Sequence, residues 1–435
     1  MKPTILLVNP PIYDFTAYDF WLKPYGLLRV GGLLRDHADL ELFDYMDRNQ
    51  PDFEPALAAK TTRWGCGPYT KTRVQKPKIF NKIPRFFNRF GRKNELFCNV
   101  LRAKKRLDFV LIQTSLTYWY PGVKEVIDDV RRIHPRATIV LGGFYATCCT
   151  THAAALGPDL IITGSDLNPL LEKLQLPIPK GFTPPAWELY PAPTTGVIKL
   201  TSGCPFSCTY CYAPQSGQPF STRPIDECIE ELQFLIHHGV KNIAFYDDAL
   251  LFRPENVFFP FLQRVLQKNI KVNFHTPNAL HARFLTAQAA QLMVKSGVKT
   301  FYLGFESRSD AFHRRAGGKV VSDELAAAVA HLCRAGADIN SVTAYEMLGH
   351  PRFAAQQLEA SMRFASELGI RVMLSDFSPI PGTPDGELCR EIVDLDEPLF
   401  HNKTAFPLLF LGTETVRYYK DLCRELNRRV SQKCV

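Results

Sequence analysis

Apolar residues in this chain gather in short strand-like runs, with stretches of helical periodicity between them. In the first third the runs fall at 4–8, 40–44, 108–113, 138–141 and 160–163, and helical patterns cover 26–35 and 122–134. Apolar runs that alternate with helices predict a parallel sheet covered on both faces, a doubly wound α/β domain over residues 1–165. Residues 166–195 hold seven prolines and few apolar runs, and read as a linker. From 197 the alternation resumes. Strands are expected at 197–201, 242–246, 271–275, 300–304, 339–347 and 372–377, and helices at 225–238, 255–268, 286–296, 323–334 and 354–368. Six strands with crossover helices are too few for a closed eight-stranded barrel. The pattern therefore predicts an open, partial (β/α)6 barrel over 196–385, followed by a helical extension over 386–435.

In parallel sheets ligands bind beyond the carboxyl ends of the strands. In the first domain those ends carry Asn9-Pro10-Pro11, the run from Thr114 through Ser115 and Thr117 to Trp119, Gly142-Gly143, and Gly164. Small and hydroxyl-bearing residues there let a backbone approach a large planar or phosphate-bearing ligand. The candidates are Asn9, Ser115, Thr117, Gly142, Gly143 and Gly164. The GLLRVGG stretch begins a helix without following directly on a strand, so it does not serve as a dinucleotide motif.

Composition adds two points. The chain has 435 residues, 46% apolar and 22% charged, enough for two or three ordinary globular domains. The net charge of +9 is concentrated: residues 60–94 carry eleven Lys or Arg and no acid, so the rest of the chain sums to about −2. This insertion interrupts the first domain. It reads as a lid over an anionic ligand, as a nucleic-acid surface, or as a solvated excursion pinned by Phe80, Phe86, Phe87 and Phe90. No run suits a membrane span or a signal peptide. The twelve cysteines are scattered, apart from one trio and Cys148-Cys149. That pattern fits reduced thiols in a cytoplasmic protein, with Cys66, Cys98, Cys228, Cys333, Cys389, Cys423 and Cys434 as structural residues.

The trio carries the chemistry. Cys204, Cys208 and Cys211 stand at C-x3-C-x2-C in the loop after the 197–201 strand, with Gly203 and Pro205 bending it and Tyr210 before the last thiol. Thiolates ligate iron–sulfur clusters, and three of them leave one iron of a four-iron cluster open. This loop resembles the signature of radical SAM enzymes, in which the open iron binds the amino and carboxyl groups of S-adenosylmethionine. The resemblance implies a [4Fe–4S] cluster on Cys204, Cys208 and Cys211, and reductive cleavage of S-adenosylmethionine to a 5′-deoxyadenosyl radical. An external electron donor of flavodoxin or ferredoxin type would supply the electron. It also implies roles at the other strand ends: Asp247 and Asp248 on the ammonium, Asn278 on the ribose or methionine, and Glu306 on the ribose or sulfonium side. The backbone of 345–351 would flank adenine, and 378–384 would close the barrel. Arg308, Arg314, Arg315 and Lys319 could meet an acidic substrate.

The first domain, placed ahead of such a core, resembles a cobalamin-binding domain through Asn9-Pro10-Pro11, the helix start at 24–28, and Gly142-Gly143 followed by His152. A cobalt-ligating D-x-H-x-x-G motif is lacking, and His152 reads as a packing histidine. The implied activity is cobalamin-assisted methylation of an unactivated carbon in a substrate that the sequence does not name. Two alternatives stand beside it: a radical SAM enzyme whose first domain binds substrate rather than cobalamin, and a non-catalytic iron–sulfur or cobalamin sensor that touches nucleic acid through 60–94. The first domain has no cysteine trio of the kind methylthiotransferases carry.

Overall fold

The computed structural model describes residues 2–177, 181–309, 312–313, 316–317, 320–352 and 355–432. The chain forms two compact units, one of residues 1–194, 237–239 and 396–401, the other of 195–236, 240–395 and 402–435.

In the first unit the apolar runs become β1 (Thr4–Asn9), β2 (Asp39–Asp44), β3 (Phe109–Thr114), β4 (Thr138–Gly143) and β5 (Leu160–Ile162). All pair in parallel, in the order β5-β4-β3-β1-β2. Side chains alternate across a strand, and β1 shows the result. Leu6 and Val8 enter one apolar core with Val110, Ile112, Ile139 and Leu141, while Ile5 and Leu7 enter another with Leu111, Val140 and Ile162. Helices α2 (Asn94–Ala103) and α3 (Tyr120–Ile133) cover the first face through Phe97, Leu101, Val126 and Val130. Helix α1 (Tyr25–Leu34) covers the second through Leu27 and Leu34. The chain runs from β1 outward to β2 on one side, then crosses back to β3 on the other side of β1. The strand ends therefore part beside β1, where such sheets take ligands.

Two stretches differ from the sequence reading. The stretch expected as a linker, 166–195, contributes to the first unit through its described residues up to Thr194: helix Asn168–Leu174 places Leu170 and Leu171 in the core beneath α1, and Trp187 is buried. The basic insertion is likewise built rather than irregular. Lys71–Arg73 pairs antiparallel with Asn88–Phe90, which pairs with Ile12–Asp14. Phe80, Phe87 and Phe90 are buried as expected, but Phe86, expected as a fourth pin, is 62% exposed.

In the second unit β6 (Thr195–Ile198), β7 (Asn242–Phe245), β8 (Asn273–His281), β9 (Val298–Glu306), β10 (Val342–Leu348) and β11 (Arg371–Asp376) form one parallel sheet in sequential order. The connecting helices are α4 (Ile225–His237), α5 (Phe258–Gln267), α6 (Ala287–Lys295), α7 (Ser322–Arg334) and α8 (Ala355–Glu367). Phe258 and Phe261 of α5 pack edge-on against Phe245 of β7. Helices α9 (Ala405–Leu411) and α10 (Thr413–Gln432) follow, and α10 covers the edge strand β11. Asn427 accepts from the Val372 amide and donates to its carbonyl, both at 2.8 Å, satisfying backbone that would otherwise invite another strand.

Gly143 shows how tightly the first sheet is closed. It sits at φ 100°, ψ −168°, and an added Cβ would lie 2.3 Å from the Thr114 carbonyl oxygen. Gly143→Ala should cost about 3 kcal/mol or more in urea unfolding. Gly157→Ala, also at positive φ but with open space around it, should cost only about 1–2 kcal/mol. Equal costs would show that the contact with Thr114 is not formed.

Candidate active site

The cysteine loop leaves β6 at its carboxyl end. It is closed at its base by a short antiparallel ribbon in which Thr201 pairs with Thr222 and Ser202 with Ser221. Gly203 begins the loop at φ 70°, where a Cβ would meet the Gln218 and Pro219 carbonyl oxygens within 2.6 Å. Two buried aspartates hold this loop from opposite ends of the sequence. Asp247 Oδ1 accepts from the amides of Leu200 and Thr201 at 2.9 and 2.5 Å and from the Thr201 hydroxyl at 2.7 Å, fixing the exit from β6. Asp385 takes the middle of the loop. Its amide donates to the Thr209 carbonyl at 3.1 Å, its carboxylate accepts from the Thr209 hydroxyl, and His350 lies 2.9 Å away on the same oxygen.

The two carboxyls are tuned oppositely. Burial pushes Asp247 up to about 6, against the hydrogen bonds from Thr201. Burial also acts upward on Asp385, yet the hydrogen bonds from His350 and Thr209 hold it below the usual carboxylate range.

Cys204, Cys208 and Cys211 line one cavity of about 340 Å³ together with Tyr210, Asp248, Asn278 and Glu306. Phe206, Phe252 and Tyr345 add aromatic walls. Among the described residues no three His, Cys, Asp or Glu side chains converge on a point for a single ion. The thiols border a shared space, as a multi-iron cluster with separately ligated corners requires. Cys208 is buried while Cys204 and Cys211 are partly exposed. Tyr210 is buried near the cysteine thiols, and burial first, then the charge of Glu306, raises its phenol far above the ordinary value.

Backbone irregularities deliver the two polar side chains from β8 and β9. The register of β8 against β9 slips between Thr276 and Leu280, and Asn278 sits in that slip with its amide 3.4 Å from the Asp247 carbonyl. A second slip, between Gly304 and Glu306, ends β9, with Glu306 at φ 64°. A non-glycine residue there costs about 1–2 kcal/mol, a strain characteristic of ligand-holding positions. Beside it in register stands Glu346, fully buried, with no partner for either carboxylate oxygen among the described residues. Burial, then the charge of Glu306, raises Glu346 well above the usual carboxylate range.

The predicted residues thus separate. Asp248 lines the cavity and reaches Lys199 at 3.2 Å, whereas Asp247 is turned into the wall as a structural acceptor. Arg308 lies over the Phe364 ring at 4.9 Å. Arg314, Arg315 and Lys319, like Cys434, fall outside the described residues. The sequence reading missed Glu346, His350 and Asp385 as individual site residues. The Thr383-Pro384-Asp385 run is a helix-start signature, and Thr383 does cap that helix through the Gly386 amide.

The first unit has its own cavity of about 300 Å³ at the strand ends, lined by Gly26, Gln113, Gly142, Gly143 and Gly164 with Leu and Val side chains. Asn9 and Ser115 border a separate, much smaller cavity. Asn9 donates to Asp44 at 2.7 Å, and Thr117 is paired with His401 at 2.9 Å. His152 is hydrogen-bonded to Tyr145 at 2.6 Å and set edge-on to Tyr120.

Residues 198–365 match the radical SAM superfamily. The chain carries a radical SAM domain. Such a domain takes a [4Fe–4S] cluster and S-adenosylmethionine, and the thiols, acids and amide of the second unit's cavity fit that pair. An uncharacterized methyltransferase of Pyrococcus horikoshii is 26% identical over 191 residues, 43% of this chain and 40% of that one. A tRNA-2-methylthio-N(6)-dimethylallyladenosine synthase of Thermodesulfovibrio yellowstonii is 23% identical over 239 residues, 52% of each chain. The chain therefore spans about half the length of the curated relatives it matches, or less. Among solved structures, the radical S-adenosylmethionine methyltransferase TsrM from Kitasatospora setae, with cobalamin and a [4Fe–4S] cluster bound, has a TM-score of 0.66. That match covers 90% of this chain and 78% of TsrM at 14% identity, a likeness of fold. No helix among the described residues is long and apolar enough to cross a membrane.

Asp247→Ala should cost about 3 kcal/mol or more in urea unfolding, because three buried donors lose their acceptor. Asp248→Ala should cost under about 1 kcal/mol, since its ion pair is half-exposed, while weakening S-adenosylmethionine binding. Equal stability costs would remove the distinction drawn between the two.

Proposed function

We propose that this protein is a cobalamin-dependent radical SAM enzyme that transfers a methyl group to an unactivated carbon. The observation that carries the reading is the single cavity joining Cys204, Cys208 and Cys211 to Asp248, Asn278 and Glu306 at the carboxyl ends of a six-stranded parallel sheet. When bound, the cluster supplies the electron for reductive cleavage of S-adenosylmethionine, and cobalamin supplies a methyl carrier. The chain's own residues do the positioning. Cys204, Cys208 and Cys211 would hold the cluster, and the remainder of their cavity would take S-adenosylmethionine. Asp248 offers an anionic oxygen to the ammonium, while Asn278 and Glu306 offer polar contacts to the ribose and sulfonium side. Phe206, Phe252 and Tyr345 wall the cavity and would exclude water from the reaction held there.

For cobalamin the support lies in the first unit, where glycines line a largely apolar cavity at the carboxyl ends of the parallel strands. TsrM, which shares the fold, binds cobalamin. TsrM and the Pyrococcus relative are both named as methyltransferases. The methylthiotransferase relatives point to a different group, but the first unit offers no clustered trio: Cys66 and Cys98 are buried singly and Cys148-Cys149 stands as a pair.

Cys208→Ala should lose the cluster absorbance together with 5′-deoxyadenosine and methionine formation, read by chromatography after anaerobic reduction. Retained cleavage would refute the assignment. Gly142→Val should reduce cobalt per chain while iron and S-adenosylmethionine cleavage stay at parental levels. An added Cβ there meets the Ile162 Cβ at an ordinary 3.8 Å, so the fold should tolerate the change. Unchanged cobalt would place cobalamin elsewhere or nowhere.

A further inference from the structure

The basic insertion belongs to neither cavity, and its charges fall into two groups. At its base, Arg89 is paired with Glu125 at 2.7 Å and Arg92 with Asp52 at 2.9 Å, so the protein's own acids neutralise them. Between these and the rest of the unit lies residues 71–87, with six Lys or Arg and no acid. Among the described residues no carboxylate pairs with Lys71, Arg73, Lys78, Lys82 or Arg85. Concentrated uncompensated charge opposes folding through self-repulsion, so its retention on a well-built element calls for a partner outside the unit.

The element is well built. Phe80 and Phe87 are buried and meet Phe15 edge-on at 5.0 and 5.2 Å, anchoring the loop that joins the two hairpin strands. Lys76 Nζ donates to the Ile83 carbonyl at 2.6 Å and ties the loop across its width. Between its two limbs runs an open groove of about 600 Å³, with Arg73, Gln75, Lys76, Arg85 and Phe86 among its walls. Phe86 is 62% exposed although Arg73 covers the ring at 3.7 Å, so much of the aromatic surface still faces solvent.

We propose that this groove binds single-stranded nucleic acid. The cations would track phosphates while a base stacks on Phe86, the pairing of electrostatic groove and aromatic platform that such strands use. A lipid surface would call for more apolar area than one ring, and an acidic protein has no need of a stacking platform. The inference concerns the first unit alone and stands apart from the cofactor reading.

The test uses the full chain and a fluorescein-labelled mixed-sequence RNA, the same sequence as DNA, and its duplex, read by anisotropy between about 50 and 200 mM salt. Single strands should bind more tightly than duplex. The combined variant Arg73→Gln, Lys76→Gln, Arg85→Gln should lower the log–log salt slope by about two. Phe86→Ala should weaken binding about tenfold with an unchanged slope. All four side chains lie at the groove, and the urea unfolding midpoint of both variants should stay close to the parent's, which verifies their folding. Three results would overturn the proposal: no salt-sensitive binding, equal affinity for duplex, or binding indifferent to both variants. Capture on anionic phosphatidylserine vesicles without binding to oligonucleotide would assign the surface to lipid instead.

Discussion

The second unit depends on a carboxylate that never reaches the cavity. Asp247 Oδ1 gathers two backbone amides and a hydroxyl at the point where β6 turns into the cysteine loop. Without that acceptor three donors would be buried unsatisfied, and the loop would lose its fixed point of departure. Asp385, arriving some 140 residues later, grips the same loop at Thr209, between Cys208 and Cys211. A cluster site needs thiols held at set separations before any iron is present. Two buried aspartates with backbone partners supply that preorganisation.

Both units place their cavities at the carboxyl ends of parallel strands, but they line them differently. Glycines and aliphatic side chains surround the first, which suits a large, weakly polar ligand approached closely by backbone. Thiols, carboxylates and an amide surround the second, which suits a charged cosubstrate on a metal cluster. The chemistry divides along the chain as the hydrophobic pattern divides it.

Much of this was legible in the sequence, and the losses have physical causes. The five strands of the first sheet were readable because continuous apolar runs are what a strand buried on both faces needs. The cysteine spacing fixed the cavity's location because the loop is local in sequence. Asn278 and Glu306 were placed correctly near strand ends, but the register slips that aim them follow no period and left no hydrophobic signal. Asp247 looked like a ligand because an acid at a strand end is ambiguous until its hydrogen-bond partners are known. Asp385 was invisible because its partner is far away in the chain. The insertion misled at one residue, Phe86, since an aromatic flanked by buried aromatics looks buried in sequence alone.

The most direct test of the account is the iron, acid-labile sulfide and cobalt content per chain, measured on protein purified without oxygen from cells supplied with cobalamin. The account predicts about four irons, four sulfides and one cobalt. Iron without cobalt would keep the radical SAM site and give the first unit's cavity to another ligand. No iron would contradict the reading of Cys204, Cys208 and Cys211, and with it the proposed activity.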